Sequence, residues 1–269
     1  MKIIVVGGSG FLGREVARQA VAGGHQVAAT CMTRPGQVPG VEWLELDVRD
    51  PDAVARRIGG YGPDVVVNAA YRPADWKVTA VGAAHVATAV AASGGLLVHV
   101  SSDAVFSGEA AGYAEDAVPD PISPYGAAKA AAEVAVRAIV PAAAIVRTSL
   151  IVGDGDSSHE AFVHTLAEGG KGVLFTDDVR CPVHVADLAA ALLELYDQAG
   201  IHHAAGADAV SRHELGRLVA RRDGLDPACL PSGRRTDTNL RGPLEVRLDC
   251  HRTQARLRTR LRGAHEFLR

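Results

Sequence analysis

The chain has 269 residues, 48% of them hydrophobic and 22% charged. That suits one large domain or two closely joined ones, with a core that needs no disulfides, and it excludes global disorder. A net charge of −3 argues against a general nucleic-acid binder. The most apolar stretch, 127–146, is broken by Lys129, Glu133, Arg137 and Pro141, so no membrane span is expected.

A short apolar run over 2–6 reads as a buried parallel strand, followed at once by Gly7, Gly8, Gly10 and Gly13. The pattern over 11–22 is helical and stops at Gly23-Gly24. Strands are expected over 26–30 and 41–46. A helix over 51–58 has Asp50 as its cap and Pro51 at its first position. A fourth strand follows at 64–68, an alanine-rich helix at 80–92 and a fifth strand at 96–101. Ser123-Pro124 opens a long helix to about 139, which Pro141 stops, and a sixth strand covers 144–148. Strands alternating with helices over 150 residues predict an α/β fold, a doubly wound parallel sheet of the Rossmann kind. Beyond Leu150 the regularity fades. Helices are expected over 160–168, 186–198 and 212–222, with short strands at 173–175 and near 246–249. The expected division is a dinucleotide-binding domain over 1–150 with about 181–199, and a small C-terminal substrate-binding lobe over about 151–180 and 200–269.

Charge is unevenly spread. Residues 233–269 hold ten Arg against four acidic residues, a net +6, which leaves −9 for the rest. Either this is a solvated terminal face, or some of these Arg meet an anionic substrate. Cys31, Cys181, Cys229 and Cys250 have no paired spacing, so neither a disulfide frame nor a metal site is expected. The start, MKIIVVGG, has no signal-peptide layout, and a cytoplasmic location is expected.

Three segments carry chemistry. In Gly7-x-x-Gly10-x-x-Gly13, Gly7 allows the tight turn, Gly10 lets a pyrophosphate approach the helix N-terminus, and Gly13 lets helix and strand pack closely. Phe11 and Leu12 open that helix. The second strand ends Ala28-Ala29-Thr30-Cys31-Met32-Thr33-Arg34, without the carboxylate that NAD enzymes commonly place there. Thr30 and Arg34 suit a 2′-phosphate, so NADP (as NADPH) is the expected cofactor. Asp47-Val48 would frame the adenine, and Asn68-Ala69-Ala70 would border the middle of the cofactor. Tyr125 and Lys129 lie four residues apart on one helix face. An ammonium beside a phenol favours the phenolate and makes it a usable acid at neutral pH. Ser102, at the end of the fifth strand, is placed to bond a substrate carbonyl. Asp103 would either bond a substrate hydroxyl or cap a turn.

Together, Gly-x-x-Gly-x-x-Gly, Ser101-Ser102-Asp103-Ala104-Val105-Phe106-Ser107-Gly108 and Ser123-Pro124-Tyr125-Gly126-Ala127-Ala128-Lys129 with Glu133 resemble the extended short-chain dehydrogenase/reductases. Within them the chain is most similar to the dTDP-4-dehydrorhamnose reductase group. The resemblance implies Ser102, Tyr125 and Lys129 as a catalytic triad and NADPH as hydride donor to a ketone on a nucleotide-linked sugar. It also implies cofactor contacts from Tyr125 and Lys129; the charge and the broken apolar stretches leave no nucleic-acid or membrane partner expected, and a homodimer is compatible with the reading. Ala104 and Leu150 fall at sugar-pocket positions, and Asp103 stays a candidate substrate contact. The group usually has an aromatic residue at Ala104 and Trp at Leu150. Its usual Asn before the fifth strand falls at Gly82. Arg241, ahead of Gly242-Pro243, is a further candidate substrate contact, with the lobe expected to close over the substrate site. A cofactor-binding regulatory protein of the same fold and a sugar-nucleotide epimerase are the alternatives.

Overall fold

The computed structural model describes residues 1–110 and 112–269. They form two compact units, one of residues 1–102, 124–147 and 189–202, the other of 103–123, 148–188 and 203–269.

The first unit is built on a seven-strand parallel sheet. Its strands are β1 (Lys2–Val6), β2 (Gln26–Cys31), β3 (Val41–Glu45), β4 (Val65–Asn68), β5 (Leu96–Ser102), β6 (Ala144–Thr148) and an edge strand, β11 (Gly200–His203). They run in the order β11-β6-β5-β4-β1-β2-β3. β1 pairs in parallel with both β2 and β4, with Ile4 opposite Ala28 and Val66. Helices α1 (Phe11–Ala22), α2 (Pro51–Tyr61), α3 (Gly82–Ser93) and α4 (Pro124–Ile139) connect the strands. β1, β2, β4, β5 and β6 are buried along nearly their whole length, as a parallel sheet covered by helices requires, whereas the edge strand β3 has no fully buried residue. On one face Ile4, Val66 and Ile145 of the sheet pack with Val54, Ile58, Val86, Val90, Ala132 and Val136 of α2, α3 and α4. Asp50 caps α2 by accepting a hydrogen bond from Ala53 N–H, with Pro51 next, as its sequence predicts. A π-helical turn, Lys77–Val81, runs directly into α3; the sequence pattern gives no sign of it.

The second unit holds β7 (Ile151–Val152), α5 (Ser158–Ala167), β8 (Leu174–Phe175), β9 (Val179–Arg180), β10 (Val183–His184), the start of α6 (Val185–Glu194), β12 (Val210–Ser211), α7 (Arg212–Arg222), β13 (Ser232–Gly233) and two one-turn helices, α8 (His251–Gln254) and α9 (Ala264–Phe267). Its strands pair two by two, β7 with β10, β8 with β13 and β9 with β12. Its core is Val152, Val163, Leu166, Leu174, Leu215, Val219 and Leu230 with their neighbours. A Ser157–Glu160 capping box opens α5, and Ser211 caps α7.

The unit boundaries differ from the expected ones for local reasons. Residues 103–123 group with the second unit because Tyr113 N–H donates to Arg247 O and Asp249 N–H to Tyr113 O. Residues 181–188 do so because Val183 N–H donates to Leu150 O and β10 pairs with β7. Residues 200–202 join the first unit because β11 extends its sheet. α6 ends at Glu194 rather than at 198; Gln198 N–H then turns onto Leu195 O, and the Gln198 carbonyl bonds the His202 ring at 2.8 Å.

Candidate active site

The glycine turn after β1 is shaped by close backbone approaches. Gly7 has φ +80°, and a Cβ there would meet the Ala70 backbone at 2.8 Å. A Cβ on Gly13 would meet Gly7 O at 2.3 Å, so α1 can start this close to the turn only with glycine. Gly7 N–H donates to Thr30 Oγ1 at 3.0 Å. Thr30 is therefore buried beneath the turn and fixes it. α1 begins at Phe11 behind Gly10, with no side-chain cap and no acid in its first turn, the kind of helix start, around Phe11 and Leu12, that can receive an anion.

A cavity of about 200 Å³ adjoins this turn, lined by Gly7, Ser9, Gly10, Thr30, Met32, Asp47, Val48, Ala69, Ala70, Tyr71 and Arg72 among others. Seven of these are expected cofactor residues: Gly7, Gly10, Thr30, Asp47, Val48, Ala69 and Ala70. Asp47 is held by Arg49, whose Nε and Nη2 both bond its carboxylate, and these bonds keep its carboxyl below the usual range. Asn68 sits beneath the cavity. Its Oδ1 accepts from Ala70 N–H at 3.2 Å and its Nδ2 lies 3.3 Å from His99 Nδ1. Burial, and then Lys129, push the His99 ring down to about 3, so it is neutral and accepts at Nδ1. Arg34 lies exposed on the loop after β2 and is not among the lining residues.

Tyr125 is in the first turn of α4 and Lys129 one turn later. Lys129 is buried at 3% exposure, and its Nζ donates to Val100 O at 2.9 Å. Burial pushes its ammonium down to about 8, partly offset by Glu133. Glu133, one further turn along, is itself held by Ser101 Oγ at 2.5 Å and by Arg147 Nη2 at 2.8 Å. Ser102 ends β5, one residue beyond that anchor.

Two residues that sequence reasoning missed join this group. The Tyr71 ring lies 6.1 Å from that of Tyr125, and Lys129 Nζ is 5.3 Å from the Tyr71 centroid, within cation–π range. Arg72, next in the chain, reaches Met32. Their signal was position: they follow Asn68-Ala69-Ala70 at the C-terminal end of a parallel strand, where this class of sheet binds ligands. A Cβ at Gly82 would point onto Val48 Cγ2 at 2.7 Å. That position therefore packs against the cavity wall, while Val100 O and Tyr71 hold the lysine.

The expected substrate residues lie in the second unit. Asp103 accepts from Ser149 Oγ at 2.7 Å and is 3.6 Å from Arg180 Nε. Ala104 sits in the short 3-10 turn Asp103–Val105. Leu150 is buried in the apolar cluster of its unit. Arg241 is exposed. Of the C-terminal arginines, Arg234, Arg235, Arg247, Arg252, Arg260 and Arg262 each meet a carboxylate.

Comparison with known proteins fits this picture. The family model of the RmlD substrate binding domain matches residues 1–268. A dTDP-4-dehydrorhamnose reductase of Mycolicibacterium smegmatis is 35% identical over 84% of this chain and 70% of its own. Among solved structures, a hypothetical dTDP-4-dehydrorhamnose reductase from Sulfolobus tokodaii has TM-score 0.83 at 28% identity, covering 97% of each chain. The dTDP-4-dehydrorhamnose reductase of Bacillus anthracis in complex with NADP has TM-score 0.84 at 20% identity, covering 99% of this chain and 96% of its own. The chain belongs to the RmlD substrate binding domain family.

Proposed function

We propose that the protein is an NADPH-dependent reductase of a ketone, most specifically of a 4-keto sugar linked to a nucleotide, as the dTDP-4-dehydrorhamnose reductase relatives are named. The observation that carries this reading is the pairing of Tyr125 with a buried, backbone-anchored Lys129 in the same unit as the glycine turn and its cavity. The residues present fit a dinucleotide. The α1 N-terminus is uncapped, and a Cβ at Gly10 would meet only Gly7 O, at 3.2 Å, which leaves room for a pyrophosphate.

When bound, NADPH supplies the hydride that reduces the ketone carbon. Negative charge then builds on the ketone oxygen, and donors must converge there. Tyr125 gives its phenolic proton to that oxygen. Lys129, charged below about pH 8, would make the phenol a stronger acid and would hold the ribose of the bound cofactor. Ser102 orients the carbonyl. Tyr71 lies tilted beside Tyr125, with Lys129 in cation–π range of its ring. Val100 O keeps one ammonium proton engaged, so the ammonium has a fixed direction.

NADPH oxidation should be followed with a panel of nucleotide-linked 4-keto sugars and simple ketones. Turnover of a 4-keto sugar supports the reading. Tight NADPH binding with no reduction of any member would favour a cofactor-binding regulatory protein instead.

A further inference from the structure

We infer that Arg72, held in place by Thr79 of the π-helical turn, is the residue that binds the 2′-phosphate of an NADP-type cofactor. This rests on the reductase reading above and assigns its cofactor preference to one side chain. Arg72 lines the cavity, and its Nη2 lies 3.8 Å from Met32 Sδ. Met32 is the residue just past β2, the strand end at which dinucleotide folds read the 2′ position of the adenosine ribose.

Charge singles out the same residue. Arg49, the other guanidinium nearby, is spent on Asp47 and lies 3.7 Å from Asp75. Among the described residues the Arg72 guanidinium has only a thioether sulfur as hydrogen-bond partner, a weak acceptor. Its planar set of donors suits a phosphate. The β2 end it faces carries no acid, and Asp47, which feels the Arg72 charge, is hydrogen-bonded by Arg49 instead.

The backbone of Arg72 is unusually well fixed for a loop. Arg72 N–H donates to Thr79 Oγ1 at 3.1 Å, and that hydroxyl donates to Arg72 O at 2.8 Å. Thr79 is 1% exposed and lies in the π-helical turn Lys77–Val81. Such turns recur at functional sites because they shift a side chain out of α-helical register. Here the turn presents a hydroxyl to both polar groups of the residue that meets the cofactor. Thr79 is thus a positioning residue for Arg72.

The test is calorimetric titration of the full chain with adenosine 2′,5′-bisphosphate and with adenosine 5′-monophosphate, which differ only in the 2′-phosphate. Native protein should prefer the bisphosphate. Arg72→Ala should weaken the bisphosphate by about tenfold to hundredfold, the loss of a charge-assisted contact, and leave the monophosphate within about twofold. Thr79→Val should lose part of the same preference, and Arg34→Ala should bind both as native does. The inference is overturned if Arg34→Ala loses the preference while Arg72→Ala keeps it, or if Arg72→Ala weakens both nucleotides equally. Native protein that binds both equally overturns this assignment and leaves the reductase reading standing. Binding of neither overturns both.

Discussion

The two units bury charge for different ends. In the first, Lys129, Glu133 and Arg147 form one short chain in which Glu133 is matched by Arg147 and Ser101, while Lys129 donates to a carbonyl, lies against an aromatic ring and feels the Glu133 charge. In the second, Asp178 is fully buried and Arg180 lies 2.9 Å and Arg212 3.4 Å from its carboxylate, with Arg235 bonded to it as well. Nearby, burial first and then Arg212 push His159 down to about 4. A carboxylate ringed by guanidiniums fixes loops that two-residue strands cannot hold. A buried ammonium whose neighbouring carboxylate is already bonded by an arginine is poised for work. Arginine abundance in a sequence is therefore a poor pointer to a ligand, and a single lysine on the right helix face is a better one.

The comparison predicts its largest stability effect at Asp178. Asp178→Ala leaves three guanidiniums without their shared carboxylate and should cost about 3–5 kcal/mol, read as a drop in the denaturant midpoint. An unchanged midpoint would mean that the cluster holds nothing together.

A smaller effect should come from pH. Folding lowers the Lys129 value from 10.5 to about 8, so the folded protein binds that proton less tightly than the unfolded chain. The cost of burying the charge is full below about pH 8 and is relieved as pH rises toward 10.5. Activity should run the other way, because the charged form is the working one. The kcat/KM for ketone reduction should fall as pH rises through about 8. A profile flat to pH 10 would show that the charge on Lys129 is not needed.

The smallest effect is expected at the surface of the second unit. Arg252 and Asp116 are 3.4 Å apart and both well exposed. Arg252→Ala should change stability by less than about 0.5 kcal/mol. A larger loss in thermal or chemical denaturation would blur the distinction between buried and exposed arginines drawn here.

Much of the first unit was legible in the sequence because each feature there is local. Its parallel strands are runs of apolar residues, Asp50-Pro51 marks a helix start, and the glycine spacing follows from backbone approaches within a few residues of the turn. Lys129 could be paired with Tyr125 from helical periodicity alone. What was not legible depends on distant partners. β11 is a strand only because the edge of β6 is there to receive it. Arg72 and Tyr71 matter because β2 and α4 bring Met32, Tyr125 and Lys129 to them. Asp103 read either as a substrate contact or as a turn cap, and nothing in its neighbourhood reveals that Ser149 and Arg180 engage it. Arg235 and Arg262 read as free positive charge, although Asp178 and Asp187, more than fifty residues away, meet them.

The central claim is that Tyr125 delivers a proton while Lys129 supports both it and the cofactor. The most direct measurement is single-turnover reduction of an accepted keto sugar by native protein and Tyr125→Phe, with NADPH affinity measured on each. The account predicts nearly unchanged NADPH affinity and a rate lower by about 10²–10⁴, since the ring remains and only the hydroxyl is lost. Reduction by Tyr125→Phe at the native rate would contradict it.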